Sequence, residues 1–236
     1  MVELLSAATP SPMRACTTVA LCLLLAACGP RRLSVVGPVA DPAMVAGALA
    51  ASTAPEDPMQ LIFEWQANDG GVRGRGRGVA RVEPAYKARL DLFLANGETA
   101  LRAALVEGEL RLPPGAPDDM LPPPDLMWGA LGVLRPDADA ELLGGDRLED
   151  GSLRLRYSDA DGGELHYQIS DGLLTRVDQV ENGRVVQEVM LSFAEPGRYP
   201  TQATYRHRTE FRELRMTRES IEIVPPFEPE IWDPGY

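Results

Sequence analysis

The feature that most constrains this chain is an alternation of apolar and polar side chains, which begins near Met59 and continues almost to the C-terminus. Leu61, Phe63 and Trp65 alternate with polar neighbours, and the same period of two returns in later runs. Strands with one apolar and one polar face are typical of an antiparallel sheet that covers a single core. Further apolar positions with this spacing are Leu90, Leu92, Leu94, Leu153, Leu155, Tyr157, Leu165, Tyr167, Ile169, Val189, Leu191 and Phe193.

Turn signals containing glycine separate these runs. An Asp, Asn or Glu followed by Gly suits the positive φ that tight hairpin turns require. The last four pairs begin at positions 150, 161, 171 and 182, a regular spacing that is typical of a meander of hairpins. We therefore predict one mainly β domain over residues 42–236. The pairs are Asp69-Gly70, Asn96-Gly97, Glu107-Gly108, Asp150-Gly151, Asp161-Gly162, Asp171-Gly172 and Asn182-Gly183.

Two segments carry helix signals in place of the strand pattern. Asp41 and Pro42 supply an N-cap and a first-turn proline for a helix that ends near position 51. Within the Pro-rich insertion 113–136, Asp125 is placed to cap a second short helix, whose apolar residues fall at helical spacing. The chain closes with a Pro-rich tail over residues 225–236.

The N-terminus has the pattern of an export signal. Residues 19–27 form an apolar run behind Arg14, and a run of this length is far too short to cross a hydrocarbon core of about 30 Å. A basic residue, a short apolar run and small residues before a cleavage point are typical of a signal peptide. We predict a signal peptide over residues 1–27, with either Met1 or Met13 as the start.

Cys28 follows a Leu-Ala-Ala triplet, which resembles the lipobox of bacterial lipoproteins. The resemblance implies cleavage before Cys28, a diacylglycerol linked to its sulfur, and a tether over residues 28–41. Gly29, in place of an aspartate, implies release to the outer membrane, with the protein on its periplasmic face. An ordinary signal peptide with a chance cysteine is the alternative.

Charge and the scarcity of ligand residues argue against several functional classes. The net charge of −12 opposes binding of nucleic acid and electrostatic docking on an anionic membrane. The chain has three Cys and two His, and neither His166 nor His207 has a partner at metal-ligand spacing. No nucleophile elbow occurs in the sequence. We therefore expect a protein that is not an enzyme and that needs no metal or cofactor.

Two stretches have both a structural and a ligand-binding interpretation. Residues 73–78 alternate Arg with Gly, but they fit neither a dinucleotide fingerprint nor a P-loop. A strand with inward glycines, which leave space beneath the sheet, is favoured there over anion binding. Residues 159–164 have the carboxylates of a calcium loop without its later ligands, so a hairpin turn is favoured.

The succession of motifs resembles that of the LolA/LolB-like lipoprotein-localisation proteins. The residues that carry the resemblance are Phe63-Glu-Trp-Gln, Arg77-Gly-Val-Ala-Arg81, Tyr86 to Leu94, and the hairpin into 101–112. Over residues 42–224 it implies a curved, unclosed antiparallel β-barrel with two or three short capping helices and a cavity for lipoprotein acyl chains. The lipid-anchored members of that family accept lipoproteins from a soluble periplasmic carrier and deliver them to the outer membrane.

Two features depart from that family. Its insertion-active members carry an exposed leucine at the tip of a strand–strand loop, where residues 95–98 of this chain read Ala-Asn-Gly-Glu. This difference puts membrane-insertion activity in doubt. The tail is also longer than theirs, and its Phe227 and Trp232 are available to plug or to cover the barrel.

From the apolar face we predict a cavity that binds acyl chains, in a monomeric lipoprotein that acts in lipoprotein delivery. Two short helices supply little to cover such a sheet, so a cavity is expected, although a filled core is the alternative for each single residue. The alternative function is a non-catalytic envelope lipoprotein that serves as a structural or assembly contact. The predicted lining is Leu61, Phe63, Trp65, Leu90, Leu92, Leu101, Trp128, Leu131, Leu155, Val189 and Leu191.

Overall fold

Thirteen strands form one antiparallel sheet in the computed structural model of this chain, which describes residues 33–84, 86–116, 121–159, 162–194 and 197–235. The predicted signal peptide, Met13 and Cys28 lie outside the described residues. The strands are β1 (Val35–Pro38), β2 (Met59–Asp69), β3 (Val72–Glu83), β4 (Lys87–Leu94), β5 (Thr99–Val106), β6 (Glu109–Arg111), β7 (Leu142–Leu148), β8 (Leu153–Ser158), β9 (Glu164–Ser170), β10 (Leu173–Glu181), β11 (Arg184–Ser192), β12 (Gln202–His207) and β13 (Arg212–Ile223).

The strands lie side by side in the order β1-β7-β8-β9-β10-β11-β12-β13-β2-β3-β4-β5-β6. Strands β7 to β13 therefore form a continuous meander, and β13 pairs with β2 to join it to the N-terminal hairpins. The edge strands β1 and β6 do not pair with each other, so the sheet is not closed. The mainly β, unclosed antiparallel fold predicted from the sequence is confirmed.

Tight turns join the hairpins at the glycine pairs that the sequence indicated. Glu107, Asp171 and Asn182 have φ angles of 55°, 52° and 50°, and a glycine with positive φ follows each of them. Two successive residues with positive φ are the requirement of the type I′ turn, whose twist matches that of the flanking strands. At these three hairpins the local turn chemistry therefore accounts for the turn without any long-range contact.

Within the described ranges, two α-helices and a 3₁₀ helix accompany the sheet: α1 (Pro42–Thr53), α2 (Pro124–Ala130) and the 3₁₀ helix Pro229–Trp232. Asp41 caps α1 as predicted, because its Oδ1 accepts a hydrogen bond from the Met44 amide at 2.9 Å. In α2 the N-cap is Pro123, which forms no side-chain bond, so Asp125 lies inside the first turn and does not cap the helix. None of the helices described is long and apolar enough to cross a bilayer.

A short edge strand occupies part of the segment that the sequence assigned to the tether. Residues 35–38 form β1, which pairs antiparallel with β7, and the amide of Val39 donates to the carbonyl of Gly145 at 2.9 Å. A strand of four residues is too short to show an alternation, so the sequence pattern could not separate it from a linker. The folded domain thus begins before residue 42.

The inner face of the sheet, which carries Leu61, Phe63 and Trp65, holds the hydrophobic core together with residues of α1 and α2. Helix α1 contributes Ala46 and Leu49 to this core. The alternation in the sequence is thereby explained, because every second residue of each strand points to this face. The largest side chains that are fully buried are Trp128, Tyr167, Tyr205, Leu92, Leu105, Leu126, Leu155, Leu174, Glu188, Val177 and Val189.

The inward glycines of β3 make room for aromatic rings and do not leave empty space. A Cβ atom at Gly78 would lie 2.4 Å from the ring of Phe63, and one at Gly74 would lie 3.2 Å from the ring of Trp65. Both aromatic residues belong to the neighbouring strand β2. The space predicted beneath this part of the sheet is therefore filled by the side chains of the next strand.

The C-terminal tail, as far as residue 235, covers the outer face of the sheet at β4 and β5. Trp232 is 5% exposed and packs against Ala104 and Val106, in a cluster separate from the main core. Arg89 anchors the tail from beneath, because its Nη1 donates to the carbonyl of Ile231 at 2.6 Å. The two roles expected for the tail are to plug or to cover the barrel, and in the structure it covers the sheet from outside.

Replacing Gly78 with alanine tests the contact between β3 and the Phe63 ring. The new methyl group would overlap the ring, so we expect the free energy of unfolding to fall by about 1–3 kcal/mol. Gly47 on α1 is the matched control, because no atom lies within 4 Å of where its Cβ would be. Gly47→Ala should raise the stability by about 0.5–1 kcal/mol through helix propensity. Urea unfolding measures both changes, and a Gly78→Ala variant as stable as the parent would contradict this packing.

Candidate functional site

An apolar cavity lies between the inner face of the sheet and the segment that contains α2. It encloses about 80 Å³ and is bordered in part by half-buried residues, where it reaches the surface. Strands β2 to β5, β12 and β13 supply one wall, and residues around α2 supply the other. The lining consists of Leu61, Phe63, Ala80, Ala88, Arg89, Leu90, Leu105, Leu121, Pro122, Met127, Ala130, Leu131, Pro200, Thr201, Gln202, Ala203, Leu214, Met216 and Arg218.

The cavity includes four of the eleven predicted lining residues, which are Leu61, Phe63, Leu90 and Leu131. The alternation in the sequence identified their face of the sheet, but it could not show which part of that face is left uncovered. The other seven are buried in the core, at most 9% exposed, and are not among the lining residues: Trp65, Leu92, Leu101, Trp128, Leu155, Val189 and Leu191.

Sequence reasoning missed the small residues of the cavity wall. Ala80, Ala88 and Ala203 all border the cavity, and each is at most 6% exposed. An inward alanine leaves volume that a larger side chain on the same strand would fill. The sequence held this signal, but using it requires the order in which β3, β4 and β12 lie across the sheet.

The cavity is much smaller than a lipid-binding pocket in this conformation. Pockets for drug-sized ligands enclose about 300–1,000 Å³, whereas this one encloses about 80 Å³. Large core side chains, including Trp128, Tyr167 and Tyr205, occupy most of the inner face. The protein's own residues therefore fill most of the hollow expected from the sequence, and an acyl chain fits only if part of the wall is displaced.

The wall opposite the sheet is the cap segment, which we define as residues 121–134. Leu126 and Trp128 of α2 are at most 1% exposed and hold the segment in the core. A hydrogen bond of 3.0 Å from the Leu134 amide to Thr53 Oγ1 connects the end of the cap segment to α1. The cap segment is thus held mainly by apolar contacts, which have little directional preference.

Asp125, in the first turn of α2, is a carboxyl group with an unusual protonation equilibrium. Burial raises its pKa to about 7, with further contributions from the charges of Asp137 and Asp159 and a smaller opposing effect from Arg135. The folded protein therefore retains a proton, between about pH 4 and pH 7, that the unfolded chain loses. Above that range, ionisation places a partly desolvated charge in the cap segment.

Two polar groups near α2 are buried without a hydrogen-bond partner among the residues that the structure describes. The indole Nε1 of Trp128 and the hydroxyl of Tyr167 form no hydrogen bond with any described residue. The Trp128 ring meets Tyr86 edge to face at 5.7 Å, and the guanidinium of Arg135 lies 3.9 Å from the centroid of the Tyr86 ring. A buried donor without an acceptor costs about 1–3 kcal/mol, so the cap segment is held less firmly than its burial alone implies.

Arg218 brings a positive charge to the cavity. It stands opposite Phe63 in the pairing of β13 with β2, and a break in register, typical of a β-bulge, follows between Arg218 and Ser220. The Nη1 atom donates to the carbonyl of Tyr199 at 3.0 Å, and the backbone amide donates to the carbonyl of Thr201 at 2.8 Å. The loop before β12 and the bulged part of β13 therefore position this guanidinium beside the apolar walls.

The other two motifs considered in the sequence lie in a strand and in a hairpin turn. Arg73, Arg75 and Arg77 lie on β3 and are exposed, as the alternation with glycine predicted. Asp159 and Gly163 close a hairpin turn, because the Asp159 amide donates to the carbonyl of Gly163 at 2.9 Å. Within the described ranges, no three His, Cys, Asp or Glu side chains are grouped so that they could hold a metal ion.

Comparison with solved structures identifies the fold. The chain is similar to a LolA superfamily protein from Nitrosomonas europaea, with 10% identity and a TM-score of 0.53 over 79% of this chain and 96% of that one. It is also similar to a DUF1329 family protein from Desulfovibrio piger, with 14% identity and a TM-score of 0.50 over 83% and 97% of the two chains. No protein-family model and no curated protein matches the sequence. The LolA/LolB-like fold predicted from the sequence is confirmed.

Asp125→Asn tests the effect of the buried carboxyl group on stability. Because the pKa of Asp125 is higher in the folded state, the stability of the parent should fall as pH rises from about 4 to about 7. The neutral amide of asparagine does not titrate, so the stability of the variant should not depend on pH through this position. At pH 8 the variant should be more stable than the parent by about 2–4 kcal/mol, and at pH 4 the two should differ little. Urea unfolding at both pH values measures this, with Asp139→Asn in an exposed loop as the control. A difference that does not change with pH would contradict the assignment.

Proposed function

We propose that this protein binds acyl chains of a lipid or a lipoprotein between the inner face of the sheet and the cap segment, and that it acts by binding and not by catalysis. The observation that carries the proposal is the apolar cavity where Met127 and Leu131 of the cap segment face Leu61 and Phe63 of the sheet. Similarity to the fold of a LolA superfamily protein supports it as an analogy of architecture.

Binding requires a displacement of the cap segment, and the energetics allow one. Each methylene group that leaves water contributes about 0.8 kcal/mol, so a long acyl chain can offset the loss of several apolar contacts. The contacts to be replaced are themselves apolar, and a hydrocarbon chain can reproduce them. The buried donors of Trp128 and Tyr167 have no hydrogen bonds with described residues to lose in such a movement.

We further propose that the protein is a lipoprotein anchored to the outer membrane through Cys28, and that it receives or delivers lipoproteins at the periplasmic surface. The position of β1 supports this. Val35 pairs with Leu148 at the end of β7, and because neighbouring strands alternate in direction, β12 begins at the same end of the sheet. Thr201, next to the start of β12, borders the cavity. An anchor that precedes β1 is therefore attached at the end of the sheet where the cavity lies.

A second candidate function, an assembly contact, rests on a different feature. Val72 and Phe211 are 77% and 79% exposed, and they follow the turns of the hairpins β2–β3 and β12–β13. The pairing of Arg212 with Asp69 places these two turns next to each other at one end of the sheet. Two large exposed apolar side chains that lie close together favour contact with another molecule.

Filling the cavity tests acyl binding. Ala203→Leu adds three carbon atoms at a buried position of the wall, so we expect the affinity for palmitate to fall by about tenfold or more. Displacement of a fluorescent fatty acid measures the affinity, and native mass spectrometry detects lipid that copurifies. Ala51→Leu, at an exposed position of α1 that does not border the cavity, is the control and should bind as the parent does.

Two results would contradict the proposal. If the folded parent protein neither carries lipid nor binds added palmitate, the inner face is only a core, and the assembly contact becomes the better interpretation. If Ala203→Leu binds palmitate as tightly as the parent does, palmitate binds at a site other than this cavity.

A further inference from the structure

Arg218 differs from most of the half-buried arginines in this protein. Arg154 pairs with Asp146 at 2.6 Å, and Arg198, in the loop before β12, pairs with Glu56 at 2.9 Å. Most other half-buried arginines also pair with a carboxylate. Arg218 has no carboxylate within 4 Å among the residues that the structure describes. The same holds for Arg135, which stacks on a tyrosine instead. Arg218 is therefore a partly buried cation that lacks a counter-ion in the described part of the chain.

The hydrogen bonding of Arg218 leaves most of its guanidinium available. A guanidinium has five N–H donors in a planar fork, and the bond to the Tyr199 carbonyl uses one nitrogen atom, Nη1. The neighbouring walls are apolar, since Phe63, Leu214 and Met216 line the same cavity. A cation beside apolar side chains is costly unless it is paired, so this position favours an anion from outside the chain.

We infer that the cavity selects amphiphiles with an anionic end, whose oxyanion pairs with Arg218 while the acyl chain lies against the apolar walls. The inference rests on the acyl-binding function proposed above, and it adds the chemical class of the ligand: a lipid with a charged end of its own, and not the uncharged diacylglyceryl group of a lipoprotein. The planar fork of arginine matches carboxylate and phosphate oxygens in a bidentate arrangement. The anion is thus the carboxylate of a fatty acid or the phosphate of a phospholipid. An uncharged alcohol of the same chain length has no oxyanion to pair with Arg218.

The test compares three ligands that share a 16-carbon chain but differ at the end: palmitate, palmitoyl lysophosphatidate and palmityl alcohol. Their affinities for the full-length protein are measured at pH 8 by displacement of a fluorescent fatty acid. We expect at least one of the two anions to bind about tenfold or more tightly than the alcohol, because a hydrogen bond to a charged group is stronger than one between neutral groups. Which anion is preferred distinguishes the two sources of the oxyanion.

Variants connect this preference to the residue. Arg218→Gln should bind the alcohol as the parent does and lose the preference for anions, and Arg218→Lys should keep part of it. Arg198→Gln is the matched control, because Arg198 is a neighbouring arginine that already has a carboxylate partner and is not among the lining residues. It should keep the full preference.

The possible failures are distinguishable. If the parent binds the alcohol as tightly as both anions, the inference is overturned and acyl binding still stands. A preference that persists in a folded Arg218→Gln variant overturns it as well. If the parent binds none of the three ligands, the proposed function fails and the inference fails with it. The ratio of the parent's affinities for the anions and for the alcohol tests the inference even if the Arg218 variants do not fold.

Discussion

A single sheet with one apolar face has to cover that face, and in this protein few residues outside the sheet are available to do so. The two α-helices contribute 12 and 7 residues, set against thirteen strands. The strands therefore fill much of the inner face themselves, with large side chains such as Tyr167 and Tyr205. Glycine on β3 also helps to fill the inner face, because it allows the Phe63 ring to lie against the neighbouring strand. The small cavity is what this filling leaves where the cap segment meets the sheet.

The outer face follows a different principle, since it remains polar through pairing of charges between strands. Glu188 is fully buried, yet Arg208 donates to it at 2.7 Å and Arg176 bonds to its other oxygen. Asp91 is similarly held by Arg81 and Arg89. Removing one partner of such a cluster would leave a buried charge uncompensated, which is why these groups occur together. The tail then adds a small apolar cluster on this face.

The features that carry the acyl-binding proposals lie in the cap segment, next to it, or in the cavity wall. The cap segment combines deep apolar contacts with a carboxyl group of raised pKa and with the Trp128 indole, a buried donor that lacks a partner among the described residues. Beside it, Arg218 faces an apolar wall without a carboxylate partner in the described part of the chain. A core built only for stability would exclude such groups, because each has a desolvation cost. Their position in the cap segment, next to it and in the cavity wall fits a region that exchanges its own contacts for those of a ligand.

The sequence by itself determined the mainly β class, the hairpin turns and the face of each strand, because these depend on residues close together in the chain. Asp171 with Gly172 specifies a turn locally, and the period of two assigns Leu61 and Phe63 to the inner face. Only the tertiary structure decided which part of that face stays open, that Trp65 fills space beside Gly74, and that β1 pairs at the edge. It also placed Arg218 at the cavity. These outcomes depend on which strands become neighbours and on how their side chains share one volume, and local pattern carries neither kind of information.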